Sequence, residues 1–450
     1  MNVAPGRSVS SKRQRAWDST ADRGWNARSL IYAAIVLNLL LFVRVAVIRS
    51  PFYSYQGPSG ADRVYYYAYA RSLVIDRDLN FSNEFAARPP SSGAIVRNGR
   101  QLNKYPIGTP LIGLPAFAVI HAVVSGLRTI GVGLAADGYS APYVMAFTLS
   151  QLGLTLLGMW LLYLTLLRYF AAQAAAIAVV AAWFGTNALH YTAVDLMMAH
   201  AAALFSTAWC GYESVTLGES SARPAKWCRV GLSCALVGLV RYQNVVFLLV
   251  PAAATLAVLS NSSLRGTLRT AVLNVASATL GFVVAWLPQL AAWKAMFGSW
   301  LVNSYQQELE FTWTHPHVRD MLFRDPARGL AIWLPVLGIG VFGCLAYAAW
   351  RVNAVALAAV VAWLINFYII SAWWAWSSVA QRATFDFLLP VAVGLGAGLT
   401  AFRDRRQVAL IAALAMLIAW SVPFAAIGVP EEVSYGTLAS AWLECMKALL

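Results

Sequence analysis

Charged side chains are scarce in this 450-residue chain: Asp, Glu, Lys and Arg together make up 12% of it, about half the share usual in a soluble protein. With 60% of residues hydrophobic, that scarcity excludes an ordinary water-soluble globule. Acidic residues are scarcer still, 19 against 33 Lys and Arg. The resulting net charge of +14 does not point to nucleic acid, because no basic and aromatic module stands apart from the apolar runs. Cysteine is sparse too. Cys210, Cys228, Cys234, Cys344 and Cys445 sit mostly in or beside apolar runs, without metal or disulfide spacing, and read as small buried hydrophobes. No inverted internal repeat of the kind many transporters carry is visible. The basic start of the chain lacks a small-residue cleavage site and stands well before the first apolar run, so no removable signal peptide is expected.

What the chain does have is apolar runs of roughly 20 residues, each long enough to cross about 30 Å of hydrocarbon as a helix. Spans are expected at about Leu30–Ile48, Pro142–Leu166, Ala171–Leu189, Met197–Leu217, Val230–Val240, Asn244–Leu259, Ala271–Trp293, Leu330–Trp350, Ala354–Ile370, Phe387–Ala401 and Val408–Phe424. The fold class is therefore an all-α polytopic membrane protein of about eleven transmembrane helices, with juxtamembrane helices in a long first outer loop. Three regions follow: a basic N-terminal tail over 1–29, a transmembrane domain over 30–426 with its outer loop at 49–141, and a C-terminal tail over 427–450 on the outer side.

Sidedness rests on the basic residues. Arg7, Lys12, Arg13, Arg15, Arg23 and Arg28 hold the N-terminus in the cytoplasm. The run Pro106–Leu127 is long enough to cross, but Pro106, Pro110 and Pro115 are expected to break its first half. If it stays on the outer side, the loops holding Arg168, then Arg223, Lys226 and Arg229, then Arg265 and Arg269, then Arg351, then Arg403, Arg405 and Arg406 all face the cytoplasm. If it crosses, every one of them is translocated. It is expected not to cross, which puts the N-terminus inside and the C-terminus outside; the membrane is expected to be the cytoplasmic (inner) one.

The first outer loop, Phe52 to Pro110, is polar and aromatic, and a long insert of this kind is usually functional. Asp62, Tyr65, Tyr66, Tyr69 and Leu73 share one face of a short helix, read as lying on the membrane surface with its rings at headgroup depth. Further polar clusters fall on the same side: HYTAVDLMMAH with Asp195 and His200, LVRYQN with Arg241, the Lys294–Arg328 loop, and SAWWAWSSVAQRATFDF with Arg382. Charges buried in a bilayer are costly, so these residues should face water or protein near span ends and line a charged cavity.

GADRVYYYAYARSL and DRDLNFSNEF, then NKYPIGTPLIGLPAF, DGYSAPY and HYTAVDLMMAHAAAL, resemble the bacterial integral-membrane glycosyltransferases of the GT-C superfamily. They are similar to protein O-mannosyltransferases and lipid A aminoarabinose transferases. The likeness covers about the first two hundred residues, with looser echoes at FGSWLVNSY and Gln381–Arg382. Where many relatives have an Asp-Glu pair this chain has Asp62–Arg63, and where many have a double proline it has Lys104–Tyr105–Pro106–Ile107. The resemblance implies an acidic active-site residue in the first outer loop and a polyprenyl-phosphate sugar donor. The acceptor would be a lipid, a glycan or a protein, with membrane lipids around the chain and no nucleic acid.

Transfer from a lipid phosphate needs a carboxylate for the acceptor hydroxyl and cations for the departing phosphate. Asp62 is the first choice for the base, although an aspartate there would equally cap its helix. Asp195 is the second carboxylate, positioning the acceptor or a divalent metal ion, for which no protein ligand set is assigned. Lys104, Arg382 and Arg241 are the phosphate candidates, the arginines because they grip phosphate bidentately. Their alternatives are carboxylate pairing for the arginines and snorkelling for Lys104. Tyr65, Tyr66, Tyr69 and His200 are expected at the substrate pocket. His315 and His317 flank Pro316 without a carboxylate pattern and read as a structural loop. Trp373, Trp374 and Trp376 read as an interfacial belt before a sugar or lipid pocket. A polysaccharide polymerase or ligase and a lipid-linked sugar transporter or flippase are the competing functions. The former would carry its long loop late in the chain, and the latter would show broken helices or repeats at the bilayer midplane.

Overall fold

The computed structural model describes residues 26–49, 61–87, 95–220, 223–261, 268–305, 311–324, 329–373, 382–427 and 435–450. Within them α1 (Ala27–Leu41) opens the bundle, and a π-helical turn extends it over Phe42–Arg49. The long first loop then forms α2 (Ala61–Arg71), α3 (Ser82–Ala87) and a hairpin of β1 (Ile95–Arg97) with β2 (Arg100–Leu102). Asn98 and Gly99 turn that hairpin with φ of 52° and 72°, the left-handed pair that a tight two-residue hairpin requires. Helices α4 (Gly108–Thr129), α5 (Ala141–Leu166), α6 (Ala172–Phe184), α7 (Ala188–Ala193), α8 (Ala199–Val215) and α9 (Pro224–Val240) follow. A 3-10 segment, Tyr242–Leu248, leads into α10 (Leu249–Ser260), and α11 (Leu268–Phe297) comes next. The chain closes with α12 (Leu330–Trp333), α13 (Pro335–Arg351), α14 (Ala354–Ala372), α15 (Leu389–Ala401), α16 (Asp404–Ile427) and α17 (Leu438–Leu449).

This is an all-α polytopic membrane protein. Helices α1, α5, α6, α8, α9, α10, α11, α13, α14, α15 and α16 stand where the eleven spans were expected. The boundaries differ in three places, each for a local reason. The expected span Ala171–Leu189 ends at Phe184, where the Thr186 hydroxyl binds the Ala182 carbonyl (2.7 Å) and accepts from the Ala188 N–H (3.2 Å), starting α7 separately. The run Leu330–Trp350 is interrupted at Leu334, ahead of Pro335. Helix α9 begins six residues earlier than Val230, because Lys226 is buried in it against Glu213 rather than left in a loop.

Two further expectations are corrected. Prolines do not break α4: Pro106 precedes it, Pro110 sits in the first turn where no intrahelical acceptor is lost, and the helix runs on through Pro115 for 22 residues. By length and composition α4 is able to cross a membrane. Its packing runs antiparallel to the first part of α5, with Gln151 Nε2 donating to the Thr109 carbonyl (3.3 Å), Phe117 5.2 Å from Tyr143, and His121 Nδ1 2.8 Å from the Tyr143 hydroxyl. Nor do the rings of α2 lie exposed on a membrane surface: Tyr65, Tyr66, Tyr67 and Tyr69 are all buried inside the protein. Tyr67 packs edge-on to Phe117 of α4 and Phe147 of α5 (5.6 and 5.5 Å), and Tyr69 edge-on to Phe81 (4.9 Å). Such pairs add about 0.5–1.5 kcal/mol each beyond their buried area. A helix covered on all sides has no lipid-facing stripe, so single-face spacing is not what sets its environment.

Close helix crossings rely on glycine. A Cβ on Gly394 of α15 would lie 1.8 Å from the Gly340 carbonyl oxygen and 2.4 Å from the Cys344 nitrogen of α13. Backbones in a membrane approach this closely only through small residues. Gly394→Val is therefore expected to separate α13 from α15 and sharply reduce the yield of monodisperse detergent-solubilised protein, since overpacking costs about 1–3 kcal/mol even without backbone obstruction. An unchanged yield and melting midpoint would refute that crossing.

Candidate active site

The ends of several helices converge on one cavity of about 230 Å³, many times the roughly 10–15 Å³ that one water occupies. Its lining comes from α2 (Asp62, Tyr66), the strand-to-α4 connection (Tyr105, Pro106), the end of α9 (Arg241, Tyr242, Gln243), the stretch after α11 (Asn303, Tyr305, Phe311), the end of α14 (Ile369, Ile370, Trp373) and Arg382. One carboxylate thus faces two guanidiniums across a largely aromatic wall. Arg382 Nη2 donates to Asp62 Oδ2 (2.6 Å), and the Tyr105 hydroxyl donates to Asp62 Oδ1 (2.7 Å). Burial alone pushes the Asp62 carboxyl up, but Arg382, the Tyr105 hydrogen bond and Arg241 together outweigh it and hold the group below its ordinary value. Asp62 is therefore ionised at neutral pH.

Arg241 caps α9 and is gripped from behind. Its Nε lies 3.1 Å from Asp386 Oδ2, Nη1 donates to His200 Nε2 (3.2 Å) and Nη2 donates to Gln243 Oε1 (3.2 Å). A guanidinium can only donate, so His200 Nε2 accepts and the proton of the neutral ring resides on Nδ1, 2.6 Å from Asp386 Oδ1.

The site occupies one end of the bundle. The pairs Lys226–Glu213 and Arg168–Glu219 (2.8 Å) lie at the opposite ends of α8, α9 and α5, about 25 Å away along the 17 residues of α8.

The same arrangement of helices is found in a solved structure. ArnT from Cupriavidus metallidurans, in a crystal structure bound to undecaprenyl phosphate, aligns over 93% of this chain and 69% of its own, with a TM-score of 0.51 and 14% identity. The chain shares the GT-C fold of ArnT, which is itself a glycosyltransferase. The oligosaccharyltransferase of Archaeoglobus fulgidus aligns over 93% of the chain, with a TM-score of 0.43 and 13% identity. This chain spans about half of that protein's length, 54%. The archaeal oligosaccharyltransferase AglB from the same organism, solved with an inhibitory peptide and a dolichol-phosphate, aligns over 94% of the chain and 55% of its own, with a TM-score of 0.42 and 14% identity. No family profile matches the chain, and no curated protein matches it.

Within the GT-C fold the expected site residues separate into two groups. Asp62, Tyr66, Arg241 and Arg382 line the cavity, and His200 lies directly behind Arg241. Lys104, Asp195, Tyr65 and Tyr69 do not line it. Lys104 is buried with its ammonium 5.4–5.9 Å from the ring centres of Tyr65, Tyr105 and Tyr305. Its carbonyl accepts from the Ser304 hydroxyl (2.6 Å), which ties the outer loop to the stretch after α11. Tyr65 packs on Phe85 and Tyr105, while the Tyr69 hydroxyl donates to the Tyr105 carbonyl (3.1 Å). Asp195 pairs with Arg63 Nε at 3.1 Å, so the residue that departs from the Asp-Glu pattern fastens the start of α2 to the α7–α8 turn.

Arg71 makes a similar tie at the other end of α2, reaching Glu84 Oε1 (2.6 Å), Asp76 Oδ2 (2.5 Å) and the Asp137 carbonyl (2.8 Å). Trp373 lies at the cavity, whereas Trp374, Trp376 and Gln381 fall outside the described residues. His317 Nδ1 pairs with Asp320 Oδ2 (3.3 Å) in the loop where a structural role was expected.

Sequence reasoning missed Tyr105, Tyr242, Gln243, Asn303, Tyr305 and Asp386. All lie in stretches that stood out as polar or as part of the resemblance, but only Asp386 carried a signal of its own, as an acid inside the apolar run Phe385–Asp386–Phe387–Leu388, where a lone charge is costly. Among the described residues no three His, Cys, Asp or Glu side chains converge. Asp62 already accepts one donor on each carboxylate oxygen, and its cavity neighbours include two cations. The donor set of the described residues alone does not fit a divalent metal ion.

Proposed function

We propose that this chain transfers a sugar from a polyprenyl-phosphate donor to a hydroxyl of a lipid, polysaccharide or protein acceptor at the outer face of the cytoplasmic membrane. The observation that carries this reading is the cavity in which Asp62 faces Arg241 and Arg382. The undecaprenyl phosphate bound to ArnT, a protein of the same fold, supports the choice of donor class. In the proposed step the bond between the sugar C1 and the phosphate oxygen breaks, and its electron pair goes to the phosphate. The acceptor oxygen forms the new bond to C1, and its proton passes to the Asp62 carboxylate. Arg241 and Arg382 stabilise the charge that grows on the leaving phosphate. A phosphate bound to Arg382 shares the guanidinium that now pairs with Asp62, which lets the carboxyl rise toward its ordinary value and accept a proton more readily. Tyr66, Tyr105, Tyr305 and Trp373 offer ring faces to the sugar. Lys104 and Asp195 act through their ties to Tyr105 and Arg63, holding the wall and the start of α2.

Mass spectrometry of envelope glycolipids, polysaccharides and glycoproteins from cells with and without the gene tests the activity. A glycan missing without the gene and restored with it supports the proposal, and identical profiles overturn it. The proposed orientation is tested separately. Cysteines at Asn98 and Gly298 are expected to react with an impermeant thiol reagent in intact cells, while one at Asp404 stays protected. Outside labelling at Asp404 with protection at Asn98 would mean that the bundle is inverted.

A further inference from the structure

Asp386 stands just before α15 between Phe385 and Phe387, and its side chain and that of His200 are both 0% exposed. A carboxylate among buried rings is tolerated only when paired. Asp386 is paired twice, with Oδ1 on His200 Nδ1 (2.6 Å) and Oδ2 on Arg241 Nε (3.1 Å). The backbone that carries it is held from two helices. The Thr207 hydroxyl of α8 donates to the Asp386 carbonyl (2.7 Å), while Trp363 Nε1 and Asn366 Nδ2 of α14 donate to the Thr384 and Ala383 carbonyls (2.8 and 3.0 Å). Phe385 stacks on Tyr191 (5.1 Å, 17°). Neither Asp386 nor His200 lines the cavity, but Arg241 does.

We propose that Asp386, acting with His200, is a positioning residue that sets the plane of the Arg241 guanidinium for the phosphate of the lipid donor. This rests on the function proposed above and deepens it. A guanidinium presents its donors in a rigid planar fork, so fixing two nitrogens fixes the direction of the rest. Asp386 holds Nε directly, and through His200 it holds Nη1. It fixes the imidazole tautomer as well, because the carboxylate accepts a hydrogen bond from the Nδ1–H and leaves Nε2 to accept from Arg241. The negative charge also offsets the cost of keeping the Arg241 and Arg382 cations at one cavity.

The test uses the full chain in nanodiscs and undecaprenyl phosphate as the probe. Arg241→Gln is expected to weaken binding tenfold or more. Asp386→Asn should weaken it by a comparable factor, and the double variant should bind no more weakly than Arg241→Gln alone, because Asp386 acts only through Arg241. A general packing defect would instead multiply the two losses. Wild-type binding by Asp386→Asn, or multiplied losses in the double variant, overturns the inference. Wild-type binding by Arg241→Gln removes Arg241 from the phosphate site and takes the inference with it. Asp386→Asn alone removes the carboxylate that faces a buried cation, and if it fails to accumulate, the double variant is compared directly with Arg241→Gln. Equal affinity then supports the inference, and weaker affinity in the double variant overturns it.

Discussion

Asp62→Asn is expected to lower sugar transfer by roughly a hundredfold to ten-thousandfold, while the protein inserts and accumulates normally. Asparagine keeps the volume of the side chain and serves a helix start about as well as aspartate. Its carbonyl oxygen still accepts the hydrogen bond that the Tyr105 hydroxyl now gives to Oδ1. What disappears is the negative charge facing Arg382 and the capacity to take a proton. A purely structural Asp62 would leave transfer near normal in this variant. A base would not, because among the described residues no other cavity residue supplies a carboxylate. Transfer and membrane abundance measured on the same preparations decide the matter, and full activity at normal abundance would redirect the search to Asp195 and its partner Arg63.

Arg382→Gln is expected to act on both halves of the step. Loss of one charge-assisted phosphate contact costs about 1.5–3 kcal/mol, which is roughly tenfold to a hundredfold in affinity for undecaprenyl phosphate. The same substitution removes the strongest of the influences that hold the Asp62 carboxyl down against burial. The folded-state pKa of Asp62 should then rise, so the acid side of the pH–rate profile should move to higher pH. The sign follows from the chemistry: a base with a raised pKa becomes protonated, and therefore inactive, at a higher pH than before. Binding assays and a pH profile on the one variant separate these effects. An unchanged affinity together with an unmoved acid limb would take Arg382 out of the site.

Local properties of the chain led correctly to the helices and less well to their surroundings. Apolar length located the spans, but Pro115 was overrated, because a proline inside a long packed helix does not have to end it. Single-face spacing in α2 pointed to a surface helix, although its tyrosines are enclosed by α4, α5 and the outer loop itself. Arg63 looked like a deviation and proved to be the partner of Asp195, 132 positions later. No window of sequence contains both members of such a pair.

Hydropathy and flanking charge act within about 20 residues of chain, so the class of molecule and the positions of its long apolar helices could be read from the sequence. The tertiary structure alone decided which polar groups meet. Asp62 and Arg382 lie 320 positions apart, and Asp386 lies 186 from His200. Their pairing depends on how helix ends are brought together by close crossings such as Gly394 on Gly340. Lys104 shows the same limit from the other side, since its charge suggested phosphate, while packing set it over three tyrosine rings outside the cavity. A side chain's chemistry is written in its own residue, but its partner is set by packing between helices far apart in the chain.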